Sequence, residues 1–132
     1  MEISTQTFKH VELIAITGRV DSVEAVHLEE ALVAAGRRGK HRLVVDMSRL
    51  EYMSSAGFRA LANAQRNNRH NKRGEVILTQ VPALVREALE LVGFTDYFKI
   101  IDPPAAAVEY AESSGADVSN TGALPASAGT SS

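Results

Sequence analysis

Short apolar runs alternate along this chain with segments in which apolar residues return every three or four positions, and that alternation leaves few folds open. VELIAI at 11–16 is apolar on nearly both faces, and RLVVDM at 42–47 and VIL at 76–78 are short β-branched runs of the kind found in fully buried parallel strands. EISTQTF at 2–8 alternates weakly and reads as an edge strand that turns at Lys9-His10 into the second strand, which Gly18 closes. Tyr97 to Ile101 supplies a last strand. Between them lie helical spacings. One set is Leu28, Ala31, Leu32 and Ala35, in a helix capped by Asp21 or Ser22 and running to about Ala35. Another is Phe58, Leu61 and Ala62, in a helix from about Ser55 to Arg69. Leu84, Val85, Ala88, Leu89 and Val92 mark the inward face of a third helix, with Pro82 in its first turn and Gly93 as its cap. A fourth opens at Pro103-Pro104 and runs through Val108 and Ala111 to about Glu112. The order β-β-α-β-α-β-α-β-α predicts an α/β fold: a mixed, mostly parallel sheet of about five strands, the first antiparallel at the edge, with about four helices.

At 132 residues the chain has room for one domain, expected over residues 1–112. From 113 to 132 (SSGADVSNTGALPASAGTSS) large apolar groups are nearly absent, so burial cannot offset the ordering entropy and a disordered tail is expected. No apolar run reaches the roughly 18 to 20 residues of a membrane span, and MEISTQTFKH lacks the apolar core of a secretory signal, so a cytoplasmic protein is expected.

Several chemistries find no support. There is no cysteine, which removes thiolate catalysis and sulfur-based metal sites. His10, His27, His41 and His70 are scattered, none paired at metal-ligand spacing, so no metal is expected, and neither a phosphate-cradling glycine loop nor G-x-S-x-G occurs. No cofactor and no catalytic residue is implied. The net charge of −2 argues against nucleic acid as a partner, and the basic stretches RRGKHR at 37–42 and RNNRHNKR at 66–73 read as solvated helix ends, where cations favour the dipole.

The most unusual local stretch is Tyr52-Met53-Ser54-Ser55-Ala56-Gly57-Phe58, small residues at the mouth of a helix. Parallel strands joined by crossover helices present their carboxyl ends at one edge, the usual place for a site. If the second and third strands are neighbours, Asp21 and the Ser54-Ser55 turn share that edge. Ser55 then stands where backbone N–H groups are unpaired and the helix dipole is positive, a place that accommodates a phosphate. Read alone, a serine there is a cap, Asp21 likewise, and Asp46 at a strand end satisfies loop amides unless it has a direct role.

Four motifs in order then resemble the STAS domain of anti-sigma factor antagonists over roughly residues 3 to 112. Gly18-Arg19-Val20-Asp21 is similar to G-x-L-D, Val44-Val45-Asp46-Met47-Ser48 to V-D-L-S, the turn at 52–58 to F-x-D-S-S-G-L, and Gly93-Phe94 to Phe98-Lys99-Ile100 to G-L-x-x-x-F-x-I. The resemblance implies a non-enzymatic antagonist that binds an anti-sigma factor serine kinase when unphosphorylated and is released when phosphorylated. It puts the phosphoserine at Ser55, with Ser54 as the alternative, and the partner-binding face at Asp21, Ser54, Ser55, Ala56, Gly57 and Phe58. Ser54 and Ala56 depart from the family's usual Asp before and Ser or Thr after the phosphorylated residue, which removes one negative charge and adds a second hydroxyl. The other function open to a STAS chain is that of a non-phosphorylated adaptor in a larger signalling or transport assembly.

Overall fold

The computed structural model describes residues 1–70 and 74–121. β1 (Glu2–Thr7) turns at Lys9-His10, where the Phe8 N–H donates to the Val11 carbonyl over 2.8 Å, and the chain returns as β2 (Val11–Val20). There follow α1 (Ser22–Arg37), β3 (Arg42–Met53), α2 (Ser55–His70), β4 (Glu75–Thr79), α3 (Ala83–Leu91), β5 (Lys99–Ile100) and α4 (Pro104–Thr121). The strands form one sheet in the order β1-β2-β3-β4-β5, β1 antiparallel to β2 and every later pair parallel, which is the mixed α/β fold that the alternation predicts.

The doubly apolar runs are explained by helices on both faces of the sheet. Ile14 and Ile16 of β2, Leu43, Val45 and Met47 of β3, and Val76 and Leu78 of β4 pack with Leu28 and Leu32 of α1, Phe58 and Leu61 of α2, and Val85 and Leu89 of α3. Their neighbours Val11, Val44 and Ile77 point the other way, against Ala107 and Ala111 of α4. One buried polar side chain pins α2 to the sheet: Gln65 accepts from the Val76 N–H at 2.7 Å and donates to the carbonyls of Val76 at 3.2 Å and Tyr97 at 2.8 Å. Every hydrogen-bonding atom of that amide is thus occupied from at least one side, as a buried amide requires.

Element ends depart from expectation in instructive ways. β3 does not stop at Met47 but runs on to Met53, and β2 passes Gly18, at φ +97°, to Val20. Pairing steps from Ala15–Asp46 to Thr17–Arg49 and from Gly18–Leu50 to Arg19–Tyr52, so β3 carries one extra residue at each step. These bulges break the two-residue alternation, and 48–53 therefore reads as loop in the sequence. In α3, Leu84 is 74 % exposed and Val92 is also exposed, against the expected inward face, because only Val85 and Leu89 of this nine-residue helix are buried. Pro82 is its N-cap. The expected strand 97–101 shrinks to Lys99–Ile100, since a 3-10 turn takes Thr95–Tyr97 and stacks Phe94, Tyr97 and Phe98 with ring centroids 5.4 to 6.4 Å apart. Helix α4 continues past Glu112 to Thr121: no proline interrupts that stretch, and a nucleated helix gains a hydrogen bond with each residue added. Residues 122–132 of the expected tail lie outside the described residues. No helix among the described residues is long and apolar enough to cross a membrane.

Arg42, expected as a solvated turn cation, is buried in β3; its Nε donates to the Ala111 carbonyl at 2.8 Å and its guanidinium pairs with Glu75 at 3.4 Å. Lys40 donates to the carbonyls of Phe8 and Lys9, and Arg38 pairs with the buried Glu12. The 37–42 stretch thus fastens the amino-terminal edge of the sheet, because carbonyls and carboxyls left there need donors.

Candidate functional site at the carboxyl ends of β2 and β3

Direct pairing of Arg19 with Tyr52 and of Val20 with Met53 sets the two strand-to-helix turns side by side, and the Ser54 N–H donates to the Val20 carbonyl over 2.8 Å. Asp21 and the Ser54-Ser55 turn therefore share the sheet edge, as the neighbouring of these strands requires.

Each turn is closed by a side-chain cap. Asp21, with extended backbone, accepts from the Glu24 N–H at 2.8 Å through Oδ1, while its carbonyl accepts the first helical bond from Ala25. At the head of α2 the same work falls to Ser54: its Oγ accepts from the Gly57 N–H at 3.3 Å, and its carbonyl accepts from Phe58 at 3.1 Å. Ser54 is thus the cap, and Ser55 is the first helical residue. The Ser55 side chain is exposed and makes no hydrogen bond to any described residue. The N–H groups of Ser55 and Ala56 likewise have no backbone or side-chain partner among the described residues, as expected for a helix's first turn. α2 carries no acidic residue in that turn, so its positive dipole end is uncompensated.

The six residues expected at the partner face do not all reach it. Asp21 and Ser55 are exposed, Ser54 and Ala56 are half-buried, and Gly57 and Phe58 are buried. Phe58, 2 % exposed, fills the core under the turn. A Cβ on Gly57 would lie 2.6 Å from Met53 Cγ and 3.1 Å from Val20 Cγ1, so the missing side chain is what lets α2 settle onto the ends of β2 and β3. Gly57 and Phe58 support the surface from beneath instead of lining it.

Beside the exposed ones stand residues that the sequence reading did not assign to that face. Arg19 stacks its guanidinium 4.5 Å from the centre of the Tyr52 ring, and Tyr52 is 41 % exposed. Val23 and Val26 are exposed on the first two turns of α1. The valines were legible, because they fall off the Leu28–Leu32–Ala35 stripe; Tyr52 was hidden by the bulges that scramble β3. Asp46 accepts from the Ser48 N–H at 2.9 Å, which ties down the first bulge and is the structural role expected of it. His27, one turn along α1, pairs with Glu24 at 3.2 Å.

What the arrangement offers chemically is the exposed Ser55 hydroxyl beside free backbone donors, on a rim with an aromatic-cation pair and two valines. The family model described as "Mlab, STAS domain" matches residues 3–102. Over 107 residues the chain is 32 % identical to BtrV of Bordetella bronchiseptica, named as an anti-sigma factor antagonist, covering 81 % of this chain and 91 % of that one. The fold matches an anti-sigma factor antagonist from Mycobacterium paratuberculosis with a TM-score of 0.75 at 22 % identity, over 84 % of this chain and 93 % of the other. It matches the Bacillus cell fate determinant SpoIIAA in its phosphorylated form with a TM-score of 0.64 at 15 % identity, over 83 % and 99 %. At those identities the two structures speak for the fold.

Proposed function

The chain belongs to the STAS-domain family, and on that premise we propose that it is an anti-sigma factor antagonist in a partner switch, binding an anti-sigma serine kinase when unphosphorylated and released once Ser55 is phosphorylated. The observation that carries the residue assignment is the division of labour in the turn. Ser54 Oγ is engaged as the cap, whereas Ser55 Oγ is exposed and unengaged. The kinase supplies the chemistry: Ser55 Oγ attacks the γ-phosphorus of ATP, an O–P bond forms as the bond to ADP breaks, and the hydroxyl proton passes to the kinase's base. This chain acts as substrate and binding partner, and the reading carries with it a cytoplasmic location.

The same phosphate is tolerated by the protein and refused by the interface. It adds about −1.5 to −2 charges. Within the molecule these meet the free N–H groups and positive dipole end of α2, so the fold is undisturbed. Across a face that accepted a neutral hydroxyl, a desolvated and unpaired charge costs several kcal/mol, and about 1.4 kcal/mol is tenfold in affinity.

The test is calorimetric titration of the organism's anti-sigma serine kinases with the unphosphorylated and the stoichiometrically phosphorylated protein. The expected result is tight binding of the first and a loss of about a hundredfold or more for the second. Equal affinity of the two forms would overturn the switch and favour a non-switching STAS adaptor.

A further inference from the structure

The two lateral edges of the sheet differ in what they leave open. β5 is two residues long and carries Lys99, so it offers a second strand almost nothing to pair with. β1, at the opposite edge, is six residues long, holds neither proline nor lysine, and pairs with β2 in unbroken register. Its outward groups follow from the turn. The Phe8 N–H bonds the Val11 carbonyl, and Gln6 lies opposite Leu13, Ser4 opposite Ala15 and Glu2 opposite Thr17, so these four residues turn their N–H and C=O groups to β2. Ile3, Thr5 and Thr7 turn theirs away from the sheet, and those groups have no partner among the described residues. Ser4, Thr5, Gln6 and Thr7 are all exposed, and the strand's one charge is Glu2 at its start. Lysine, proline and bulges are the usual means of blunting such an edge, and β1 has none of them.

We propose that β1 is a pairing edge for a second copy of this chain, the two β1 strands joining antiparallel about a two-fold axis at Thr5. The spacing of the outward groups selects that register. With Thr5 opposite Thr5, Ile3 of each copy meets Thr7 of the other, and each of these residues exchanges both its N–H and its C=O with the residue opposite. An axis at Ser4 would instead send Thr7 to Met1, which lies outside β1. Charge supports the same arrangement: Glu2 comes opposite Phe8 of the second copy, beside a turn made basic by Lys9 and by Lys40, whose Nζ donates to the Phe8 and Lys9 carbonyls. Symmetry repeats the match at the other end. Neither Glu2 nor Lys9 has an ion pair among the described residues. A second copy is the fitting occupant because the edge is complementary to itself in both hydrogen bonds and charge. β1 shares no residue with the turns at Asp21 and Ser54-Ser55, so the pairing is independent of the proposed switch.

The experiment is sedimentation equilibrium of the full chain at concentrations up to about 1 mM, where even a small interface registers. The mass should rise from one chain to two. Thr5→Pro removes an outward N–H and leaves the bonds to β2 in place, so it should keep the fold and weaken the dimer about thirtyfold or more, two hydrogen bonds being lost across the axis. If that variant does not fold, Thr5→Lys, which sets like charges directly opposite, should weaken the dimer by about fivefold or more. The chain has no cysteine, so single cysteines report the register. In Thr5→Cys the two Cα atoms are about 5.5 Å apart, within disulfide range, whereas in Thr7→Cys they are roughly 14 Å apart. Under mild oxidation the first should cross-link at least about tenfold faster. A chain that stays monomeric throughout, a dimer undiminished in Thr5→Pro or Thr5→Lys, or equal cross-linking at the two positions would overturn the proposal.

Discussion

The turns from β2 into α1 and from β3 into α2 lie side by side and close their helices with the same kind of bond, but to different electrostatic ends. The first uses Asp21 as cap and places Glu24 in the opening turn, so α1 starts with its dipole already met by acidic groups. The second uses Ser54, a neutral hydroxyl, and has no acidic residue in its opening turn. One helix start is complete, and the other is held in shape but left without charge. A negative group added at α1 meets like charge, whereas at α2 it meets an unfilled dipole and the N–H groups of Ser55 and Ala56. The contrast also separates holding the turn from responding to a signal: Ser54 does the first and, on the proposed reading, Ser55 the second.

Substitutions can break that contrast at each level. The largest effect is expected below the turn: Phe58→Ala empties a site 2 % exposed in the core and should cost about 3 to 5 kcal/mol in urea unfolding. A loss under ~1 kcal/mol would mean that Phe58 reaches the surface and that the turn is not supported from beneath. At the caps the expected losses are smaller. Asp21→Ala should cost about 1 kcal/mol or somewhat more and Ser54→Ala somewhat less, since the Asp21 bond is shorter and made to an acidic acceptor. In a domain of this size about 1 kcal/mol moves the melting temperature by roughly 4 °C or more, so thermal unfolding resolves the pair. Smaller again, and opposite in sign, Ser55→Asp should stabilise the fold by about 0.3 to 1 kcal/mol by supplying the missing charge at α2. Ser55→Ala should fall within about 0.5 kcal/mol of the parent protein, because its hydroxyl makes no bond to any described residue. If Ser55→Ala destabilised as much as Ser54→Ala, the two serines would share the capping and the separation of roles would be lost.

The fold was legible because its determinants are local and periodic. Buried strands such as Val76-Ile77-Leu78 announce themselves by composition, and Asp21 announces α1 by cap chemistry. Legibility failed where periodicity is broken on purpose or burial is decided at a distance. The two bulges in β3 turned its second half into apparent loop and hid Tyr52 as a surface residue. Arg42 looked like a solvated cation until α4 brought the Ala111 carbonyl to it from 69 residues away. At the candidate site, the sequence singled out a turn but not which of its residues face outward. Gly57 and Phe58 follow Ser55 by only two and three residues, yet they are buried, Gly57 by the close approach of α2 to Met53 and Val20.

The account rests most heavily on Ser54 as cap and Ser55 as phosphoacceptor. Its most direct test is phosphosite mapping by mass spectrometry after incubation with the anti-sigma kinase and ATP, on the parent protein and on Ser54→Ala and Ser55→Ala. The account predicts phosphate on Ser55 in the first two and none in the third. Phosphate on Ser54 in the parent protein, or undiminished modification of Ser55→Ala, would contradict it.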